Sequence, residues 1–124
     1  MTQAALAVFG LWRWLIFPVK TLSDFSDAKT TGHKIAMVTA YDADSARLIA
    51  GTSVDCVLVG DSVMMVVHGK ENTRGATPEL MAGHTKAVAS GQPGKFIVAD
   101  MPYLSAQQGT EFALKCAQSM IEAG

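Results

Sequence analysis

Three aspartates stand where they could share an ion. Asp42 follows the run Ile35-Ala36-Met37-Val38-Thr39-Ala40-Tyr41, Asp61 follows Cys56-Val57-Leu58-Val59-Gly60, and Asp100 follows Phe96-Ile97-Val98-Ala99. Each run is apolar and too short for a helix, which reads as a buried parallel strand. In a parallel sheet all C-terminal strand ends lie on one rim, where α/β folds bind their ligands. Two or three carboxylates facing one small volume repel each other, and a bound cation relieves the repulsion. Hard oxygen donors of this kind suit Mg²⁺. A single Asp after a strand is also an ordinary turn former or helix N-cap. Three in the same register point to the cation.

The elements that must position these residues are legible from period and punctuation. Strands are expected over 34–41, 56–59 and 95–99. A helix over 44–50 follows the first, capped by Asp42 or Asp44, with Ala46, Ile49 and Ala50 as its apolar stripe, Arg47 outside and Gly51 at its end. The next helix has Thr77 as N-cap, Pro78 at its first position and Glu79 in its first turn. Leu80, His84, Ala87 and Val88 share one face of it, Gly91 stops it, and Gln92-Pro93-Gly94 turns the chain. The last helix starts at Thr110. Phe112, Cys116 and Met120, flanked by Ala113, Ala117 and Ile121, form its apolar face.

Before the first strand, 21–30 fits a short helix with Thr21 as cap and Asp24 as its acidic partner. A loop with a solvated His33 follows. The stretch 63–69 is apolar but falls where a βα-loop belongs, so it is either a short strand extension or a loop packed over the mouth. The polar stretch 70–76 reads as an exposed active-site loop, and 105–109 as another loop. His68 has no ligand partner at metal spacing and reads as a satisfied structural histidine; His84 reads as a core histidine with a hydrogen-bond partner. The order is βαβαβα, with connections long enough for right-handed crossovers.

Composition narrows the function classes. At 124 residues the chain fits one domain, and a net charge of −1 points to neither nucleic acid nor a membrane surface as partner. Cys56 and Cys116 form no CxxC or metal spacing and read as reduced, buried thiols of a cytoplasmic protein. Residues 1–18 are apolar apart from a few positions such as Gly10 and Arg13. That segment is too short and too interrupted to span a bilayer and is expected to be a poorly ordered extension, with the folded domain over 19–124. No phosphate-loop glycine motif occurs.

At Thr39-Ala40-Tyr41-Asp42, Val59-Gly60-Asp61-Ser62 and Ala99-Asp100-Met101-Pro102 the chain resembles the ketopantoate hydroxymethyltransferase (3-methyl-2-oxobutanoate hydroxymethyltransferase) family. The resemblance runs from about Val19 to Gly124 and takes in Val67-His68-Gly69, His84-Thr85 and the ending from Met120. It implies the first three βα units of a (β/α)₈ TIM-type barrel. It implies a homo-oligomer when full length, and hydroxymethyl transfer from 5,10-methylenetetrahydrofolate to 3-methyl-2-oxobutanoate, giving 2-dehydropantoate for pantothenate synthesis. It implies Mg²⁺ at Asp61 and Asp100, and the 2-oxoacid at Asp61, Ser62 and Asp100. Asp42 matches a family position without being assigned as a ligand.

Family members are about twice this length, as a barrel of about 250 residues requires. The resemblance puts a substrate-binding Lys, a further metal-binding Glu and the Glu proposed as general acid/base beyond Gly124. No catalytic residue is therefore assigned in this chain, which is expected to be inactive alone. Two other readings share its carboxylates on strand ends. One is a Mg²⁺-dependent 2-oxoacid barrel of the phosphoenolpyruvate mutase and isocitrate lyase kind. The other is a phosphoacceptor signalling domain, which needs five strands where three are read here.

Overall fold

The computed structural model of the protein describes residues 19–91 and 93–124. The apolar stretch 1–18, expected as an extension, lies outside the described residues, as does Gln92. The chain runs α1 (Leu22–Thr31), β1 (Met37–Thr39), α2 (Ala43–Ala50), β2 (Cys56–Val59), α3 (Val63–Val66), α4 (Pro78–Ser90), β3 (Phe96–Ala99), a 3₁₀ turn (Ser105–Gln108) and α5 (Thr110–Ala123). The strands form one parallel sheet in the order β1-β2-β3, with Met37 opposite Cys56 and Cys56 opposite Phe96.

Chain order and sheet order coincide. A doubly wound phosphoacceptor domain would instead place its first strand between the second and third. Here β2 holds the middle, so that architecture is excluded. The described residues hold three βα units of a singly wound sheet, which is what a partial (β/α)-barrel family would present.

The core lies between the sheet and its helices. Val57 and Val59, two residues apart and so on one face, are fully buried with Ala46 and Ile49 of α2, Met81 and Val88 of α4, and Cys116 and Met120 of α5. Helix α4 is the hub, touching α2, α5, β2 and β3. Its end lies hard against α2: a Cβ on Gly91 would fall 2.5 Å from the Ala43 carbonyl oxygen and 2.6 Å from the Ala46 Cβ. The other face of the sheet carries Met37, Cys56 and Phe96, and there α1 packs Phe25 on Phe96 with ring centroids 4.9 Å apart. Cys56 and Cys116 are free and buried, and burial pushes both thiols up, so they stay protonated.

The expected caps form as read. Thr21 and Asp24 make a reciprocal capping box on α1. Asp42 caps α2, and Thr77 caps α4 with Pro78 behind it. Other expectations are corrected. Strand β1 spans three residues, not eight. The Ala36 N–H goes to the Asp55 carboxylate at 2.8 Å, and its carbonyl is shared by the Asp55 and Cys56 N–H groups, so the ladder cannot extend backwards. His33 is not merely solvated, because its Nε2 lies 3.1 Å from the same carboxylate.

The stretch 63–69 is no strand extension, and only 67–69 lie outside helix. It opens with α3, whose first N–H groups are taken by the carbonyls of Gly60 and Asp61 and whose Val63 and Met64 are buried. Tertiary burial overrides the β-propensity of its valines. Residues 105–108 coil into a 3₁₀ turn rather than an open loop. The buried stripe of α4 is Met81, Thr85 and Val88, so the face read from Leu80, His84 and Ala87 is only half-buried. On α5, Cys116 and Met120 point inward, but Ile121 is 79% exposed.

Candidate functional site

The site lies where β2 and β3 end. Val59 pairs with Ala99, and the ladder runs one step further through the Asp100 N–H, which donates to the Val59 carbonyl at 2.9 Å. That bond fixes where the Asp100 side chain starts. Its Oδ2 accepts from the Asp61 N–H at 3.2 Å, so the carboxylate that ends β3 reaches across to the residue two beyond β2.

Gly60 forms the floor. It is buried, and a Cβ there would meet Ser62 Oγ at 3.0 Å and Asp100 Oδ2 at 3.4 Å. The absent side chain is what lets hydroxyl and carboxylate approach each other over the strand end. Of the three residues expected to hold the ketoacid, Ser62 and Asp100 thus bring Oγ and Oδ2 to one glycine, and Asp61 follows that glycine directly in the chain.

Asp42 does not join them. Its two oxygens accept from the Ser45 N–H at 2.8 Å and the Ser45 hydroxyl at 2.9 Å, and these bonds hold its carboxyl below the usual range. It is spent as the cap of α2. Of the three carboxylates expected on the rim, Asp42 is therefore occupied by its own helix. Among the described residues no group of three or more His, Cys, Asp or Glu side chains is arranged to hold a metal. The Asp100 carboxylate at the strand end is the donor type that Mg²⁺ takes, since the ion binds through one or two carboxylates and completes its shell with water and substrate oxygens.

Ser62 occupies the N-cap position of α3, yet its hydroxyl makes no capping bond. It lies instead 2.8 Å from the Tyr41 hydroxyl. With a single turn, α3 adds little dipole to an anion at its start, so anything Ser62 could offer a ligand comes from its hydroxyl.

Sequence reasoning missed Tyr41 and the partners that hold it. His84 Nδ1 lies 2.8 Å from the Tyr41 carbonyl oxygen. A carbonyl only accepts, so in neutral His84 the proton sits on Nδ1 and Nε2 is an acceptor. His68 Nε2, 3.1 Å from His84 Nε2, must then be the donor. Both histidines are hydrogen-bonded, as expected, although His84 is only half-buried and His68 is exposed. The one signal in the sequence was the position of Tyr41, a hydroxyl-bearing residue at the end of the first strand run. Above the rim, the 70–76 loop leans on the loop after β3, with Arg74 over the Tyr103 ring at 5.9 Å.

Comparisons with known proteins agree with the motifs. The ketopantoate hydroxymethyltransferase family model matches residues 19–124. A 3-methyl-2-oxobutanoate hydroxymethyltransferase of Saccharolobus islandicus is 47% identical over 104 residues, which is 84% of this chain and 39% of that relative. Proteins of the same name from Francisella tularensis and Bdellovibrio bacteriovorus are 44% and 40% identical over 106 residues, covering 86% of this chain and 40% of each relative. The chain thus spans about 40% of the length of the curated relatives it matches.

Proposed function

The chain belongs to the ketopantoate hydroxymethyltransferase family, and we propose that it forms the ketoacid- and metal-holding part of a 3-methyl-2-oxobutanoate hydroxymethyltransferase. In this reading the three βα units belong to a (β/α)₈ barrel, and the whole enzyme is a cytoplasmic homo-oligomer serving pantothenate biosynthesis. Its substrates are 3-methyl-2-oxobutanoate and 5,10-methylenetetrahydrofolate, and its product is 2-dehydropantoate.

The approach of Ser62 Oγ and Asp100 Oδ2 to Gly60, with the Asp61 N–H bonded to that same carboxylate, carries the proposal. Asp61 and Asp100 would hold Mg²⁺, directly or through water. When bound, the ion supplies positive charge where the enolate of the ketoacid develops. Ser62 donates its hydroxyl to the ketoacid carboxylate and so orients C3 for loss of its proton and attack on the folate methylene carbon. The Asp61 N–H keeps the Asp100 carboxylate turned toward the same volume. No residue of this chain is assigned the proton transfer at C3.

The test is a chimera in which residues 19–124 replace the matched segment of the Francisella tularensis relative. The unaltered chimera is expected to make 2-dehydropantoate. Asp61→Ala and Asp100→Ala should each weaken Mg²⁺ and ketoacid binding together, read by calorimetric titration. Wild-type affinity for both ligands in either variant, or an inert unaltered chimera, overturns the reading.

A further inference from the structure

The hydroxyl of Ser62 has its direction set from outside its own helix. At an N-cap position a serine hydroxyl ordinarily accepts from a backbone N–H one turn on, and Ser62 does not. Its Oγ lies 2.8 Å from the Tyr41 hydroxyl, which arrives from the end of β1 and is half-buried. Tyr41 is itself held at two points. Its carbonyl accepts from His84 Nδ1–H at 2.8 Å, and its ring meets the His84 ring edge-on, centroids 6.4 Å apart and planes at 80°. His84 is in turn held by the His68 Nε2–H. The contacts run His68, His84, Tyr41, Ser62 and end at the hydroxyl that, like Asp100 Oδ2, lies beside Gly60.

Two hydroxyls sharing one hydrogen bond leave one proton over. A phenol is the stronger acid and the better donor, with an ordinary pKa near 10, far below that of an aliphatic alcohol. That acidity favours Tyr41 as the donor and the Ser62 Oγ as the acceptor. The serine's own proton is left to point away from Tyr41. Were the polarity reversed, Ser62 would spend its only proton on Tyr41 and have none to give an anion.

We propose that Tyr41 is a positioning residue for ketoacid binding: its phenol donates to the Ser62 hydroxyl and so directs the serine proton toward the ketoacid carboxylate. The inference rests on the reading of Ser62 as a ketoacid-binding group. It assigns Tyr41 no contact with the reacting atoms.

A double-mutant cycle in the same chimera tests it. Tyr41→Phe keeps the ring, the His84 contact and the backbone carbonyl and removes only the phenol oxygen. It should raise the KM for 3-methyl-2-oxobutanoate about two- to tenfold, the range of one neutral hydrogen bond. The folate KM and kcat should stay within about twofold, a split that a general loss of structure would not produce. In the Ser62→Ala background, Tyr41→Phe should add nothing. If Ser62→Ala raises the ketoacid KM but Tyr41→Phe leaves it unchanged, the positioning role is overturned and the site reading stands. Equal effects of Tyr41→Phe in both backgrounds also overturn it. If Ser62→Ala leaves the ketoacid KM unchanged, the site reading fails and this inference fails with it.

Discussion

Substituting Gly60 by Ala probes the site with one methyl group. Gly60 lies outside the left-handed region, so Ala meets no backbone strain there. The added Cβ would have three near neighbours: Ser62 Oγ at 3.0 Å, Asp100 Oδ2 at 3.4 Å and Leu58 Cδ2 at 3.8 Å. The last two are ordinary contacts. The first is short by several tenths of an ångström, so the Ser62 hydroxyl must give way. It cannot do so freely, because the Tyr41 hydroxyl holds it at 2.8 Å. A shift of that size would cost Ser62 the bond proposed for it to a bound carboxylate, about 1.5–3 kcal/mol for a hydrogen bond to a charged group. That corresponds to roughly a 10- to 150-fold loss of ketoacid affinity. Mg²⁺ affinity without ketoacid should change much less, since the Asp100 contact is not compressed. Titration of the chimera with each ligand separates the two, and its thermal midpoint should stay near that of the unaltered protein. A ketoacid affinity within about twofold of the parent would refute the convergence over Gly60 as the binding determinant.

Asp55 gives the protein an acid limb. Its carboxyl is held below the ordinary value of 3.8 first by the Ala36 N–H, against the opposing effect of burial, with His33 and Lys20 assisting. A carboxyl with a lowered folded pKa contributes stability that is complete above its unfolded pKa and lost as pH falls through the folded one. Asp55→Asn should therefore flatten the loss of stability below about pH 4 in denaturation curves of the chimera, and parallel acid limbs would count against the Asp55–Ala36 bond. Gly91→Ala should destabilise by about 1–3 kcal/mol through overpacking against the α2 backbone, visible as a lower denaturation midpoint; an unchanged midpoint would mean that α2 and α4 can separate at little cost. The 124-residue chain made alone should bind an apolar dye, self-associate and form no 2-dehydropantoate. Its outer strands keep open edges among the described residues, Met37 is 50% exposed, and an apolar groove of about 380 Å³ runs between Thr85, Ile97, Met101 and Met120. A sharp thermal transition from a monomeric, dye-free sample would contradict this.

Much of the fold and part of the site follow from local chemistry. Capping is a contest between a side chain and its own backbone within a few residues, so Thr21, Asp42 and Thr77 declare their helices before any packing is known. The three apolar runs ending in Asp declare parallel strands, although the burial expected of all three holds only for β2, since β1 is exposed throughout and β3 half-buried. Asp42, Asp61 and Asp100 are therefore placed on one rim by their strand runs, and Ser62 comes only with the family resemblance. What tertiary structure decided is whatever depends on a partner far along the chain. Asp42 and Asp100 look alike in sequence, yet one carboxylate turns back to Ser45 and the other crosses to the Asp61 N–H. Helix α3 forms from strand-forming valines because Val63 and Met64 gain more from burial than from their β-propensity. β1 stops short because Asp55, nineteen residues on, takes the Ala36 N–H. Tyr41 reaches Ser62 across twenty-one residues and His84 reaches Tyr41 across forty-three. Periodicity reports which way a residue faces relative to its own element, and only the packed sheet brings the ends of separate elements to within one hydrogen bond.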